Sequence, residues 1–187
     1  MTYTVRGYTS ADETGWLRCR VLSFLSTAYY DDVRTAKPEI SGFELVAVDP
    51  TGHVAALLDV ELDHDQATID TIAVHPDHQR RGLATRLLTE ARTRLAAHGI
   101  TTLDAWTRDD PPALTWYRSR GFTEDSHYLH VYANYYTDPA EPIRAIATPR
   151  PPLRPITAFL HAPLTEEPAL REQFARVHVC RRFSLTV

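Results

Sequence analysis

The stretch TIDTIAVHPDHQRRGLATRLLTEARTRL, from Thr68 to Leu95, decides the fold. A β-branched run stops before Pro76, the polar residues 79–81 follow, and Gly82 precedes leucines at helical spacing. A strand therefore runs into a helix through a basic loop. The unpaired N–H groups and partial positive charge of a helix N-terminus bind phosphate well. The residues alone leave two interpretations open, a phosphate site or an ordinary connection with solvated side chains, because neither nucleotide-loop pattern GxxxxGK[ST] nor GxGxxG is present.

Composition narrows the class of protein. The chain has 187 residues, of which 43% are hydrophobic, and a formal net charge of −4. That length suits one domain of ordinary size. The negative charge disfavours general binding to nucleic acid or to a membrane surface. No apolar run approaches the roughly 20 residues of a membrane span. We expect a globular protein with neither a nucleic-acid nor a membrane partner.

The cysteines and the first residues bear on the compartment. Cys19 and Cys180 are too few for a disulfide framework and have no metal-ligand spacing, so we expect no metal site and a reducing cytoplasm. Residues 1–13 have neither the basic region nor the apolar core of a secretory signal. The single lysine, Lys37, is attributed to codon bias in a GC-rich genome. We expect a cytoplasmic, bacterial protein.

The predicted elements alternate in type along the first part of the chain. Ser10 or Asp12 caps a first helix, a hairpin turns at 49–52, Gly99 ends the second helix, and Asp110 caps a third whose first turn holds two prolines. The order β, α, a hairpin of strands, β, α, β, α, β predicts a mixed α/β sheet with helices on both faces.

The chain changes character near residue 135. All seven glycines lie at or before Gly121, and most of the thirteen prolines lie from Pro139 onward. We therefore separate a core, 1–135, from a tail, 136–187, with a proline-rich crossing, a helix within 165–175 and a final strand in 176–187. That strand either completes the sheet of the same chain or joins a partner subunit in a homodimer.

Two segments together resemble a known family. IAVHPDHQRRGLATRLL resembles the acetyl-CoA loop of the GNAT superfamily of N-acetyltransferases, whose signature is [QR]-x-x-G-x-[GA]. DPPALTWYRSRGF resembles a second family segment, in which Ala113, Trp116, Tyr117, Gly121 and Phe122 are in register. The resemblance covers residues 3–132. It implies a GNAT-like α/β fold with a mixed, mostly antiparallel, twisted sheet.

The resemblance also implies how acetyl-CoA is held. The pantetheine arm would lie along the strand before the loop, and the loop N–H groups would hold the pyrophosphate. The implied cofactor-binding residues are Ile72, Ala73, Val74, Gln79, Arg80, Arg81, Gly82, Leu83, Ala84, Thr85 and Asp110. Glycine at 82 would let the pyrophosphate approach the backbone closely.

Tyr117 is the catalytic residue that the resemblance implies. It would protonate the departing CoA thiolate, a role that suits a phenol with a pKa of about 10 because it stays protonated at neutral pH. The alternative is a helix residue that only packs beside Trp116.

Two positions depart from the family pattern. Asp110 replaces the usual asparagine before the helix and adds a negative charge near the CoA phosphates. In the branch that acetylates ribosomal-protein N-termini, a strand glutamate acts as base, and Ala105 occupies that position. Asp104 is adjacent but should point to the opposite face. These departures count against close membership of that branch.

The general base and the acceptor site stay open. Asp70 is the preferred base, on the strand face of Ile72 and Val74, and the alternative is an exposed carboxylate. Glu61, Asp59 and His127 are weaker candidates. The acceptor candidates are Tyr29, Tyr30, Asp31 and Asp32, aromatic faces beside carboxylates that suit a cationic amine, unless the two aspartates begin a surface helix.

The predicted reaction is transfer of acetyl from acetyl-CoA to a primary amine of a small molecule or protein, by direct attack. Two alternatives are kept. The first is a non-catalytic acyl-CoA-binding or regulatory module of the same family. The second is an unrelated phosphate-binding α/β protein.

Overall fold

The computed structural model describes residues 2–148 and 150–187, which form eight strands and five helices. In chain order these are β1 (Thr4–Gly7), α1 (Glu13–Phe24), β2 (Gly42–Val48), β3 (Val54–Asp63), β4 (Gln66–Val74), α2 (Leu83–Ala97), β5 (Thr102–Thr107), α3 (Pro111–Ser119), β6 (Thr123–Asn134), α4 (Glu141–Ala145), β7 (Thr157–Ala162), α5 (Glu167–Gln173) and β8 (Arg176–Thr186). No helix among these residues is long and apolar enough to cross a membrane.

All eight strands belong to one sheet with the order β1-β2-β3-β4-β5-β8-β6-β7. Neighbouring strands are antiparallel except β4 and β5, which are parallel. The α2 crossover makes the parallel pair possible, because parallel strands cannot be joined by a tight turn. The predicted mixed, mostly antiparallel sheet is confirmed.

Helices cover both faces of the sheet. On one face α1 buries Trp16 completely against Leu57 and Ala73. On the other face the apolar stripe of α2, which includes Leu87, packs against Leu58 of β3. The leucines at helical spacing after Gly82 therefore form the core-facing side of α2, and the prediction of helices on both faces is confirmed.

The predicted hairpin turn joins β2 and β3. The carboxylate of Asp49 accepts hydrogen bonds from the backbone N–H groups of Thr51 and His53, at 2.8 and 3.0 Å. Gly52 has a φ of +88°, in the left-handed region that glycine adopts without strain. This turn fixes the register in which the buried faces of β2 and β3 meet.

The tail enters the sheet of its own chain. Strand β8 pairs with β5 on one side and β6 on the other, so residues 176–186 lie inside the sheet. The helix within 165–175 is present as α5. The sequence prediction missed α4 and the edge strand β7, whose apolar alternation is short and enclosed by prolines that favour irregular backbone. Within the proline-rich crossing, Pro149 lies outside the described residues.

Phe183 of β8 provides a test of this topology. Its ring is completely buried and stacks on the ring of Tyr117, with centroids 5.5 Å apart. Phe183→Ala should lower the free energy of unfolding by about 3–5 kcal/mol, because it leaves a cavity between β5, β6 and α3. Urea unfolding measures the loss.

Phe159→Ala is the matched control, since the ring of Phe159 on β7 is 53% exposed. The control should lose roughly 1 kcal/mol or less. Equal losses in the two variants would contradict a central position for β8.

Candidate active site

The candidate site is a cleft that opens where β4 and β5 separate. The two strands pair only from Gln66–Ile69 to Thr102–Ala105. Beyond these residues β5 continues beside β8 and β4 continues beside β3. A cavity of about 540 Å³ occupies the gap, lined by β4, by the loop that enters α2 and by the first turns of α3.

The edge of β4 that faces the gap carries backbone groups that do not pair with β3, and the carbonyl of Val74 accepts only a long hydrogen bond from the Gln79 side chain, at 3.5 Å. The N–H of His75 donates to the carbonyl of Ala55 in β3, at 2.9 Å. In an antiparallel pair, alternate residues direct both backbone groups to the partner strand. By that alternation Ala73 is paired with Leu57, whereas Ile72 and Val74 face the gap. The backbone groups of Ile72 and Val74 therefore face the cleft, whereas those of Ala73 are directed to Leu57 of β3.

The loop between β4 and α2 forms a concave backbone at the end of the cleft. Arg80 and Gly82 have φ angles of +59° and +73°, and Gly82 is the N-cap of α2. Left-handed residues within a turn bring successive N–H groups to one side and make an anion-binding concavity. A Cβ placed on Gly82 would meet no protein atom within 4 Å. The φ of Gly82 thus favours glycine, and the space beside it is open to a ligand.

Side chains of the loop differ in their suitability for a ligand. Gln79, Arg80, Ala84 and Thr85 line the cleft. Leu83 also borders the cleft, although it is only 2% exposed and packs in the core below α2. The guanidinium of Arg81 is directed to the carbonyl of Asp77, at 3.4 Å, and Arg81 is the one residue of the predicted loop set that does not line the cleft.

Tyr117 is brought to the wall of the same cleft by α3. Its ring packs edge-on against Trp116 and Phe122 and stacks on Phe183, so the packing alternative describes its ring correctly. Its hydroxyl makes no hydrogen bond within residues 2–148 and 150–187. Burial raises the pKa of the phenol above its ordinary value, which keeps Tyr117 protonated throughout the neutral range.

Asp70 lies at a β-bulge that the sequence did not reveal. Asp59 of β3 pairs with Thr71 and Val60 pairs with Ile69, so Asp70 is the extra residue. The carboxylate of Asp70 accepts a hydrogen bond from the Thr71 hydroxyl at 2.8 Å. It also lies 3.9 Å from the guanidinium of Arg34, in the connection after α1.

The bulge corrects the predicted face of this residue. Simple alternation placed Asp70 with Ile72 and Val74, which pack on the α2 side of the sheet. Because one extra residue interrupts the alternation, the Asp70 carboxylate turns towards the connection after α1. It still lines the cleft, on the wall formed by β4.

The weaker base candidates do not line the cleft. Glu61 is exposed near the far end of β3, and His127 lies beside Glu124 at 3.5 Å. Asp59 is completely buried and accepts a hydrogen bond from the indole N–H of Trp16 at 3.0 Å. Burial raises the pKa of Asp59 to about 7.

Lys37 has a structural role that composition did not suggest. Its side chain is 3% exposed, and its ammonium group pairs with Glu44 and lies 3.7 Å from Asp59. The same ammonium lies over the rings of Tyr8 and Trp16. A buried charge of this kind is tolerated only when paired, so the lone lysine anchors the connection between α1 and β2 to the sheet.

Asp110 begins α3, but its carboxylate does not cap the helix. Leu114 N–H donates to the backbone carbonyl of Asp110 at 3.0 Å, and the side chain forms no capping hydrogen bond. Pro111 and Pro112 occupy the first turn as predicted, and neither has an N–H to be capped. The carboxylate of Asp110 is half-buried and borders the cleft.

The four acceptor candidates differ in the contacts that their side chains already make within the chain. Asp31 forms a two-point ion pair with Arg176, at 2.6 and 2.9 Å, and Asp32 pairs with Arg20 at 2.7 Å. The Tyr29 hydroxyl accepts a hydrogen bond from the backbone N–H of Arg108. The carboxylates of Asp31 and Asp32 are therefore already neutralised by arginine.

The same segment is not a helix. Residues 25–31 form turns with a bend at Thr27, and residues 32–34 have no regular structure, so the alternative of a surface helix at Asp31 and Asp32 is wrong. Tyr30 is 51% exposed, and Arg176 lies over its ring.

Arg108 and His130 belong to the surroundings of the cleft and were not found from the sequence. The Arg108 side chain donates to Nδ1 of His130 at 3.2 Å and to the carbonyl of Ala28. Burial, followed by the nearby Arg108 charge, lowers the pKa of His130 to about 4. His130 therefore stays neutral at pH 7 and accepts from Arg108. No local pattern links these residues, which come from the residue after β5, from β6 and from the connection after α1.

Comparison with known proteins places these features in a family. The model of the acetyltransferase (GNAT) family matches residues 12–122, which is more than half of the chain. The chain belongs to the GNAT acetyltransferase family. The family resemblance in the two sequence motifs is thereby confirmed.

Curated GNAT relatives share about a third of the matched residues. The [ribosomal protein bS18]-alanine N-acetyltransferase of Escherichia coli K12 is 36% identical over 101 residues, which are 52% of this chain and 66% of that protein. The mycothiol acetyltransferase of Clavibacter michiganensis is 29% identical over 126 residues, 63% of this chain and 41% of that protein. The chain thus spans less than two thirds of the length of these relatives. The first relative is from the ribosomal-protein branch, although Ala105 replaces the glutamate of that branch.

Solved structures of GNAT proteins share the fold. The ribosomal-protein-S18-alanine N-acetyltransferase from Escherichia coli superposes with a TM-score of 0.61 at 17% identity, covering 100% of this chain and 94% of that one. The PaiA N-acetyltransferase from Thermoplasma acidophilum, in complex with coenzyme A, gives 0.57 at 12% identity, covering 67% and 92%. At these identities the likeness shows the fold alone.

Proposed function

We propose that this GNAT protein transfers an acetyl group from acetyl-CoA to a primary amine by direct attack. The observation that carries the proposal is the cleft between β4 and β5, where the free edge of β4, the concave loop at Gly82 and the Tyr117 side chain converge. A ligand with alternating amides and a phosphate group matches this arrangement. The amides would pair with Ile72 and Val74, and the phosphates would lie at the loop.

The residues of the cleft support each proton movement of the reaction. The acceptor nitrogen attacks the thioester carbonyl, and the carbon–sulfur bond then breaks. The Tyr117 hydroxyl donates its proton to the sulfur as negative charge develops there. An acceptor that arrives as an ammonium loses one proton to Asp70, directly or through water, before its nitrogen attacks. The nitrogen loses its second proton to water as the amide forms, and the Tyr117 phenolate is reprotonated from water. No covalent bond to the protein forms at any step.

The relatives indicate two kinds of acceptor. One relative is named for the alanine of ribosomal protein bS18 and the other for mycothiol. We infer that the acceptor here is likewise an amine of a protein or of a small molecule.

Gly82→Ala tests the phosphate role of the loop. Alanine is strained at a φ of +73°, and its methyl group would occupy the open space where the pyrophosphate is expected. The affinity for CoA, measured by calorimetry, should fall by about tenfold or more, since about 1.4 kcal/mol of lost contact corresponds to a factor of ten.

Gly52→Ala is the matched control, because Gly52 also has a positive φ, of +88°, and open space around it, but lies in the β2–β3 turn. Both variants should lose about 1 kcal/mol of stability. Only Gly82→Ala should lose CoA affinity. Equal CoA binding by the two variants would place the pyrophosphate elsewhere.

Tyr117→Phe tests whether the cleft is catalytic. The variant keeps the ring contacts with Phe183 and removes only the hydroxyl, so the fold and the CoA affinity should be preserved. We expect kcat to fall by about 10²-fold or more, measured by release of the CoA thiol with a panel of amines. A chain that binds CoA equally well before and after the change, without turnover in either form, is instead a non-catalytic acyl-CoA-binding module.

Asp70→Asn tests the proton acceptor. The amide can still accept from Thr71, but it cannot take a proton. We expect kcat/KM to fall by about tenfold or more near pH 7, with the deficit shrinking as the pH rises and the free amine becomes abundant. Arg34→Gln is the control, since it removes the ion pair at 3.9 Å and keeps the carboxylate. A deficit that is the same at every pH would indicate a structural role for Asp70.

A further inference from the structure

A second, larger cavity adjoins the cleft. It has a volume of about 1050 Å³ and lies between the connection after α1, the end of β6 and the starts of β7 and β8. Thr27 and Asp110 line both cavities, so these two residues stand at the junction. A molecule in the larger cavity could therefore extend one end past Asp110 to the cleft where Tyr117 lies.

The other carboxylates of the larger cavity are already engaged. Asp31 is paired with Arg176. Asp109 is paired with His178 at 2.9 Å and with Arg171 at 3.5 Å. Glu141 is 2% exposed and accepts from two backbone N–H groups, at 2.9 and 2.6 Å.

Asp110 differs from these three carboxylates. Within residues 2–148 and 150–187 its side chain has no hydrogen bond and no ion pair. A half-buried carboxylate without a partner attracts a cation, because the attraction is screened less than at an exposed site. The junction therefore carries one uncompensated negative charge.

The walls of the larger cavity are polar. Thr27, Thr137 and Thr157 supply hydroxyl groups, and Asn134 supplies an amide. The cleft between β4 and β5, by contrast, is bordered by Ile69, Ile72 and other apolar side chains. An acceptor with hydroxyl or amide groups would find hydrogen-bond partners in the larger cavity, whereas an alkyl chain would offer none to the hydroxyl groups of Thr137 and Thr157.

We propose that Asp110 binds the ammonium group of the acceptor at the junction, and that the acceptor is a hydrophilic primary amine whose polar body lies in the larger cavity. The inference rests on the proposed acetyl transfer, because it assigns the acceptor side of the same site. It also gives the aspartate at this position a role: the charge that disfavours nearby CoA phosphates favours a cationic acceptor. Asp110 acts in binding, and Asp70 remains the proposed proton acceptor.

Asp110→Asn is the decisive variant. The Asp110 side chain forms no capping hydrogen bond, so asparagine, which has nearly the same shape, should leave the fold unchanged. The KM for an amine acceptor should rise about tenfold, the effect of losing one charge-assisted hydrogen bond, whereas the KM for acetyl-CoA should stay the same or fall. Inhibition by the neutral N-acetyl product should not change, since that product has no ammonium group.

The probes are glucamine, a linear primary amine with a hydroxylated chain, and hexylamine, its counterpart without hydroxyl groups. The wild-type chain should have a higher kcat/KM for glucamine than for hexylamine. Asp63→Asn is the control for charge removal, because the Asp63 side chain is 92% exposed at the β3–β4 turn and lines neither cavity. Its kinetics should match those of the wild type.

Three results would overturn the assignment. They are an unchanged amine KM in Asp110→Asn, a KM for acetyl-CoA that rises as much as that for the amine, or a preference for hexylamine over glucamine. Should the wild type turn over neither amine, the acetyl-transfer proposal fails for these acceptors. The role of Asp110 is then decided by NMR titration of glucamine into the CoA-saturated chain, where equal Kd values for wild type and Asp110→Asn would contradict it.

Discussion

Four residue pairs hold β4 against β5, and the separation of these strands beyond Ile69 and Ala105 is the constraint on which the site depends. A parallel pair that ended at the sheet edge would leave only a frayed strand. Here both strands continue with other partners, so the gap is held open from both sides. The bulge at Asp70 occurs one residue after the last pair, where β4 turns away from β5. Beyond the last pair, the backbone groups on this edge of β4 have no neighbouring strand, and a ligand with amides can take its place.

The tail contributes to this constraint although it lies far away in the sequence. Strand β8 occupies the side of β5 opposite to β4, and Phe183 of β8 supports the ring of Tyr117 from below. The position of the Tyr117 hydroxyl thus depends on residues after 176. Glu141 of α4 is buried and accepts hydrogen bonds from the backbone of Asn134 and Ala175, so it fixes α4 between the end of β6 and the start of β8. Glu141 and the nearby Thr137 in turn line the larger cavity.

The parts that could be predicted from the sequence depend on local physics. The strand–loop–helix at Gly82, the hairpin at Asp49–Gly52 and the proline-capped α3 each follow from spacing within about 15 residues. Joined to the family motifs, they were enough to locate Tyr117 and the loop in one cleft. Strand β7 lacked such a signal, because prolines surround a short alternating run. The bulge at Asp70 could not be predicted from the sequence either. A strand pattern shows which side chains alternate, but it does not show the register in which β4 pairs with β3.

The ion pairs near the proposed acceptor site could not be predicted from the sequence for a different reason. Asp31 and Arg176 are separated by 145 residues, and their pairing becomes visible only once β8 is placed beside β6. The planar fork of arginine matches a carboxylate at two points, which a lysine cannot do. An arginine-rich composition therefore has consequences that a codon-bias explanation overlooks. Pairing with arginine neutralises Asp31, Asp32 and Asp109 in turn. Among the described residues that line the larger cavity, Asp110 is therefore the carboxylate that is left without an ion-pair or hydrogen-bond partner.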